Sequence, residues 1–224
     1  MVRELVLSQK RQGLHEALLA AATRTIAERG YQALRARDLA NEVGCAVGAI
    51  YNVFPDLDAL TLAVKSRTLD DLQADILEQL GPDETVARAQ GEARLMASAR
   101  IYLDFAHRNR RLWLSAFEHS SPVTPSWEAY MLRLDNIFAN VERPLTVILP
   151  NTPPQRRKTL ARAMFSAVHG IVSLGLIEKL GALTLDELHW QVRVVLAALL
   201  KGLQDEPSKT ALEPQPFANL AGRS

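Results

Sequence analysis

The chain has a single cysteine, Cys45, among 224 residues. It cannot close an intramolecular disulfide, so packing must hold the fold together, and a lone thiol fits a reducing, cytoplasmic setting. Aromatics make up only 6% of the residues and the formal net charge is +1. A balance so close to neutral argues neither for nor against a polyanionic partner. Even residues 1–54 carry only seven basic side chains against five acidic ones. Long apolar runs are missing too. Nothing approaches the roughly 20 residues that cross a bilayer, so no membrane partner is expected. The opening MVRELVLSQKRQG lacks the apolar stretch of a secretory signal.

Catalytic patterns are equally scarce. The chain has no Gly-rich phosphate loop, no Gly-x-Ser-x-Gly elbow and no paired cysteines for zinc. His15, His107, His119, His169 and His189 never fall at i, i+4, the spacing a helical zinc site wants. Asp104-x-x-His107 and Asp186-x-x-His189 each put a carboxylate and an imidazole on one helix face, which leaves a metal-binding helical bundle as an alternative reading. A helical interaction module without a DNA role is another. The weight of the sequence is against an enzyme, and no cofactor is expected.

What the chain does have is apolar residues, 48% of the total, at helical spacing. No stretch alternates with the period of a strand, which makes the fold class all-α. Leu14, Leu18, Ala21, Ala22 and Ile26 mark a helix over about 9–29, stopped by Gly30. Short helices follow at 37–43 and 47–53 with Gly44 between them, and Asp56 caps a long helix that fades at Gly81-Pro82. Further helices are predicted over 84–107, 110–119, 125–148, 154–180 and 184–203, with a link at His119–Pro122. The expected division is residues 1–55, residues 56–203 as a bundle of about six helices, and a proline-bearing tail over 204–224.

The segment RARDLANEVGCAVGAIYNVF, residues 35–54, has the proportions of a helix-turn-helix. Leu39, Val43, Val47 and Ile50 are its expected buried pegs, and the small Ala40 and Gly44 are expected to let the helices cross closely. The second helix would then offer Cys45, Ala46, Val47, Gly48 and Ala49 to the major groove, where small side chains permit close approach. Tyr51 and Asn52 suit phosphates at its exposed end, and Arg35 and Arg37 suit the sugar-phosphate backbone. The recognition helix holds no Lys or Arg. Apolar contact, DNA shape or water would have to carry much of the sequence choice.

Residues 12–65 closely resemble the TetR family of regulators. Gly30, Asp38-Leu-Ala40, Gly44, Gly48, Tyr51 and Phe54 stand in family order. The resemblance implies a homodimer whose recognition helices enter successive major grooves of a near-palindromic double-stranded operator. It also implies a small-molecule effector and, as the family tendency, repression released by that effector. Carried over by position, Arg37, Ala46, Gly48, Tyr51 and Asn52 fall at DNA contacts. Two positions depart from the pattern: Leu34 and Arg35 stand where a small hydroxyl residue usually opens the second helix, and Leu57 replaces a common lysine. Residues 99–117 and 163–175 resemble a subgroup with a Trp-His-Gly signature, although Ala167-Val168-His169-Gly170 stands here. The effector would meet Tyr102, Phe105, Trp113, Phe117, Trp127, Tyr130, Phe165 and His169. The last two helices are apolar on more than one face, which predicts pairing with a second copy, with Gly170 and Gly175 allowing close crossing.

Overall fold

In the computed structural model the described residues are 2–82, 88–118, 125–176, 181 and 183–204, and among them the regular structure is entirely helical. The helices are α1 (Val2–Arg29), α2 (Ala36–Val43), α3 (Val47–Tyr51), α4 (Leu57–Leu80), α5 (Arg88–Arg108), α6 (Arg110–Glu118), α7 (Pro125–Ile148), α8 (Pro154–Gly175) and α9 (Leu185–Gln204). A single 3-10 turn, Tyr31–Ala33, joins α1 to α2. The predicted link at 119–122 and, beyond Gln204, the predicted tail lie outside the described residues, as does the predicted extension of α8 over 177–180.

Several boundaries follow from local chemistry. Asp56 caps α4 by accepting the Ala59 amide at 2.7 Å. Thr184 and Glu187 cap α9 reciprocally: the Thr184 amide donates to Glu187 Oε2 at 2.7 Å, and the Glu187 amide donates to Thr184 Oγ1 at 3.2 Å. Helix α1 begins seven residues earlier than its apolar stripe suggests, at Val2 rather than near residue 9, because nothing in VRELVLSQ breaks a helix. Helix α3 ends two residues early, at Tyr51, where the Val53 and Phe54 amides both fold back onto the Ile50 carbonyl.

Two cores form, and α4 feeds both. Leu18, Ala22 and Ile26 of α1, Leu39 of α2, Ile50 of α3 and Phe54 close one core over Leu60 and Val64 of α4. From Leu62 onward, α4 turns Leu69, Leu72 and Ile76 into the second core, which α5 to α9 complete. Helix α5 runs through the middle of that bundle, touching α4, α6, α7, α8 and α9. Each fully buried Leu, Ile or Phe stabilises the fold by about 1.5–3 kcal/mol relative to exposure. Gly175 is there for space. A Cβ at that position would come within 2.1 Å of Leu188 Cδ2, so α8 and α9 of the same chain approach closely at this point. Gly170 has no such neighbour.

The two cores also meet through α6, whose Leu112 packs against the amino-terminal one. Beside it, Arg111 Nη1 donates to the Ala27 carbonyl at 3.3 Å and also to the Glu28 carbonyl. These carbonyls end α1, where the last turn has no intrahelical donors and a cation is welcome.

Candidate nucleic-acid interface and ligand cavity

The turn between α2 and α3 sets the first candidate site. Gly44 sits at φ 73°, ψ 36°, a left-handed conformation that side chains with a Cβ resist. No atom lies within 4 Å of a Cβ built there, so its role is conformational rather than the close helix crossing expected for it. From this turn α3 presents Ile50, 0% exposed, to the core, with Phe54 closing behind it. Ala46, Gly48, Tyr51 and Asn52 are left exposed on the other side.

Val47 is 38% exposed and is not a buried peg. The helix makes little more than one turn, and Val47, at its first position, stands past the edge of the core that Ile50 fills. It shares the outer face with the other candidate contacts, whereas Cys45 is half-buried and packs against the core. Arg37 is exposed on α2. Arg35 is exposed too, but its Nη1 donates to the Gln32 carbonyl at 2.7 Å and the Leu34 carbonyl at 2.8 Å. That guanidinium is partly committed to the 3-10 turn.

The second candidate site is a cavity of about 40 Å³ inside the α4–α9 bundle. Tyr102 and Phe165 line it with Ile76, Ser98, Asn140 and Met164, and none of its lining residues is charged. Sequence reasoning missed Ser98 and Asn140. Both are buried, and Asn140 Nδ2 also donates to Gln73 Oε1 at 2.7 Å. A buried serine and asparagine on helix faces turned inward were the available signal.

Trp113, Phe117 and His169 pack behind Tyr102 rather than on the cavity. The His169 ring lies 5.0 Å from Trp113 and 4.8 Å from Phe117, so a tryptophan and a histidine meet in space without being adjacent in sequence. The Tyr102 hydroxyl lies 2.7 Å from His169 Nδ1. Burial pushes the tyrosine well above its ordinary range and holds the imidazole below its own. A neutral phenol and a neutral ring therefore share this hydrogen bond. The Trp113 indole N–H is buried with no aligned acceptor among the described residues. Phe105, Trp127 and Tyr130 are not brought to the cavity. Trp127 packs on Tyr130 at 5.3 Å, and the Tyr130 hydroxyl donates to the Ala116 carbonyl at 2.7 Å.

The carboxylate and histidine pairs meet differently from a metal site. Asp104 Oδ1 lies 2.8 Å from His189 Nε2, joining α5 to α9, while its other oxygen accepts from Arg100 at 2.8 Å. Its own-helix neighbour His107 is exposed. No group of three metal-ligating side chains forms among the described residues, and nothing in this arrangement supports a metal-bundle enzyme.

Residues 18–64 match the family described as bacterial regulatory proteins, tetR family. Residues 95–206, half of the chain, match the tetracyclin repressor-like C-terminal domain. No curated protein matches the sequence. Among solved structures, a protein of unknown function from Rhodococcus sp. RHA1 is 25% identical, with a TM-score of 0.65 over 84% of this chain and 94% of that one. A TetR transcriptional regulator from the same organism is 17% identical, with a TM-score of 0.57 over 85% of this chain and 98% of that one. The regulator FadR from Bacillus subtilis, in complex with stearoyl-CoA, is 15% identical, with a TM-score of 0.61 over 84% and 98%. The helix-turn-helix at one end and the repressor-like bundle at the other account for most of the sequence, and the chain belongs to the TetR family of ligand-responsive, DNA-binding transcriptional regulators.

Proposed function

We propose that the chain is a cytoplasmic homodimeric repressor that leaves a near-palindromic operator when a small molecule enters its bundle. The observation that carries the reading is the two-sidedness of α3. Ile50 is fully buried, while Val47, Tyr51 and Asn52 stand exposed with Ala46 and Gly48. A one-turn helix held so firmly by one residue presents its remaining surface as a fixed shape, suited to a major groove. Arg37, Tyr51 and Asn52 would contact the phosphates, and Ala46, Val47 and Gly48 the base edges; Arg35 and Cys45 take smaller parts.

Dimerisation through α8 and α9 is supported by the apolar surface these helices leave uncovered. Leu174 is 55% exposed and Trp190 57%, with Val194 and Leu199 beside them on α9. Leu188, Val192 and Leu196 of α9 face their own bundle instead. Trp190, flanked by His189 and Gln191, gave no apolar stripe to follow.

The effector reading rests on the uncharged cavity. At about 40 Å³ it holds a water or two, far below the roughly 300–1,000 Å³ of a small-molecule site, so a ligand must push it open. That the FadR structure holds stearoyl-CoA supports an effector with an apolar body here. Helix α6 is placed to relay the opening, since it carries Trp113 against the aromatic cluster and Arg111 onto the end of α1.

The test is a selection of genomic fragments by the purified chain at fixed salt, followed by release with apolar small molecules. Specific fragments whose complex dissociates on adding a compound support the reading. Failure to retain any fragment at low salt would sink it.

A further inference from the structure

Helix α1 extends well beyond the part of the chain that the family match covers. The match opens at Leu18 and the helix at Val2, more than four turns earlier at about 3.6 residues per turn. The carboxyl end of α1 is held by Arg111 against the ligand domain. Its amino-terminal half lies at the opposite side, next to the exit of the recognition helix. The His15 ring stacks on Phe54 with centroids 4.6 Å apart. Ser8, Arg11, Gln12, His15 and Glu16 line a surface groove of about 380 Å³ whose other wall is Val53, the residue after Asn52, and Glu16 lies 3.6 Å from the His15 ring nitrogen.

Charge gives this surface a purpose. Helix α3 has no Lys or Arg, and Leu57 opens α4. Arg24 is tied to Glu42, and Arg35 is turned onto two carbonyls. By contrast, Lys10 and Arg11 are exposed and have no ion-pair or hydrogen-bond partner among the described residues. With Arg37 alone, a dimer would place about two cations on phosphates. Lys10 and Arg11 raise that to about six, the lower end of what salt-sensitive DNA binders use.

We propose that the amino-terminal turns of α1 are a second DNA-backbone surface, in which Lys10 and Arg11 grip phosphates adjoining those met by Tyr51 and Asn52. The inference rests on the DNA-binding reading and adds to it the residues that supply its electrostatic grip. Phosphates are the occupant because the groove reaches Val53, just past the recognition helix, and the exposed Lys10 and Arg11 at its rim are both positive. The contact strengthens binding to every sequence alike and leaves base preference to α3.

The experiment measures binding of the full chain to a labelled fragment from the genomic selection, across about 50 to 200 mM KCl. The double variant Lys10→Ala/Arg11→Ala should reduce the steepness of log K against log salt by about 3.6 for a dimer, at about 0.9 per lost phosphate contact. Affinity at 100 mM should fall at least about tenfold, with unchanged footprint and melting temperature. The swap Lys10→Arg/Arg11→Lys should keep the parent slope. An alanine variant with the parent slope overturns the proposal while leaving DNA binding intact. So does a swap that loses the slope, since the effect would then not be one of charge. A parent chain that retains no fragment overturns the DNA-binding reading and this surface with it.

Discussion

The two cores of the molecule are built from similar residues but are finished differently. Around Ile50 the amino-terminal core is closed by Leu39, Phe54, Leu18 and Leu60, all nearly or fully buried, and its polar needs are met by backbone turns. The core around Tyr102 encloses a cavity whose wall includes the buried polar side chains of Ser98 and Asn140. A tightly packed interior holds one shape because every gap costs dispersion contacts. An interior with a void has somewhere to go when a ligand arrives. The contrast matches the division of labour: one region presents a fixed surface and the other changes.

Large-to-small substitutions should expose the difference most strongly. Ile50→Ala is expected to cost about 4 kcal/mol, since α3 has no other buried anchor, and to abolish DNA binding. Met164→Ala, on the cavity wall, should cost about 2 kcal/mol, because that side chain already lacks neighbours on one side. Urea unfolding measured on both variants decides the matter, and equal costs would break the comparison. Gly44→Ala comes next, at about 1–2 kcal/mol, since the left-handed backbone at φ 73° must be kept or the turn rebuilt. Its effect on operator affinity should exceed its effect on ligand affinity, and titration of the variant with each would reveal the reverse.

The same contrast governs what could be read from the sequence. The helix-turn-helix was legible because its requirements are local. A left-handed turn needs Gly44, and the peg at i+6 from it, Ile50, falls where α3 must bury something. Val47 escaped because periodicity does not say where a one-turn helix runs out of core. In the bundle, the helices were legible from spacing, but which faces meet depends on five partners packed around α5. Phe105, Trp127 and Tyr130 looked like cavity residues only because they are aromatic, whereas the polar Ser98 and Asn140 stood outside the apolar stripes that mark a core. Lys65 is the sharpest case. Its side chain is 2% exposed where α4 passes between the two cores, with burial lowering its pKa against the pull of Asp58, and no sequence rule buries a lysine there.

The smallest effect concerns the polar pair beside the cavity. Burial holds His169 below its ordinary 6.5, so the folded state favours the neutral ring while the unfolded chain takes up a proton as the pH drops. Its contribution to stability is therefore complete above about pH 6.5 and is lost as the pH falls through that value toward the folded pKa. Tyr102→Phe removes the hydroxyl partner of Nδ1 and should cost about 1 kcal/mol at pH 7.5, a typical net hydrogen bond. At pH 5 the cost should grow, because a protonated imidazole donates its Nδ1–H to the phenol oxygen in a charge-assisted hydrogen bond. His169→Gln should flatten the acid limb of the melting-temperature profile. A Tyr102→Phe cost that stayed constant from pH 7.5 to 5 would mean the hydroxyl serves packing or water rather than the ring, and the bundle's adjustable polar centre would then have to be sought at Ser98 and Asn140.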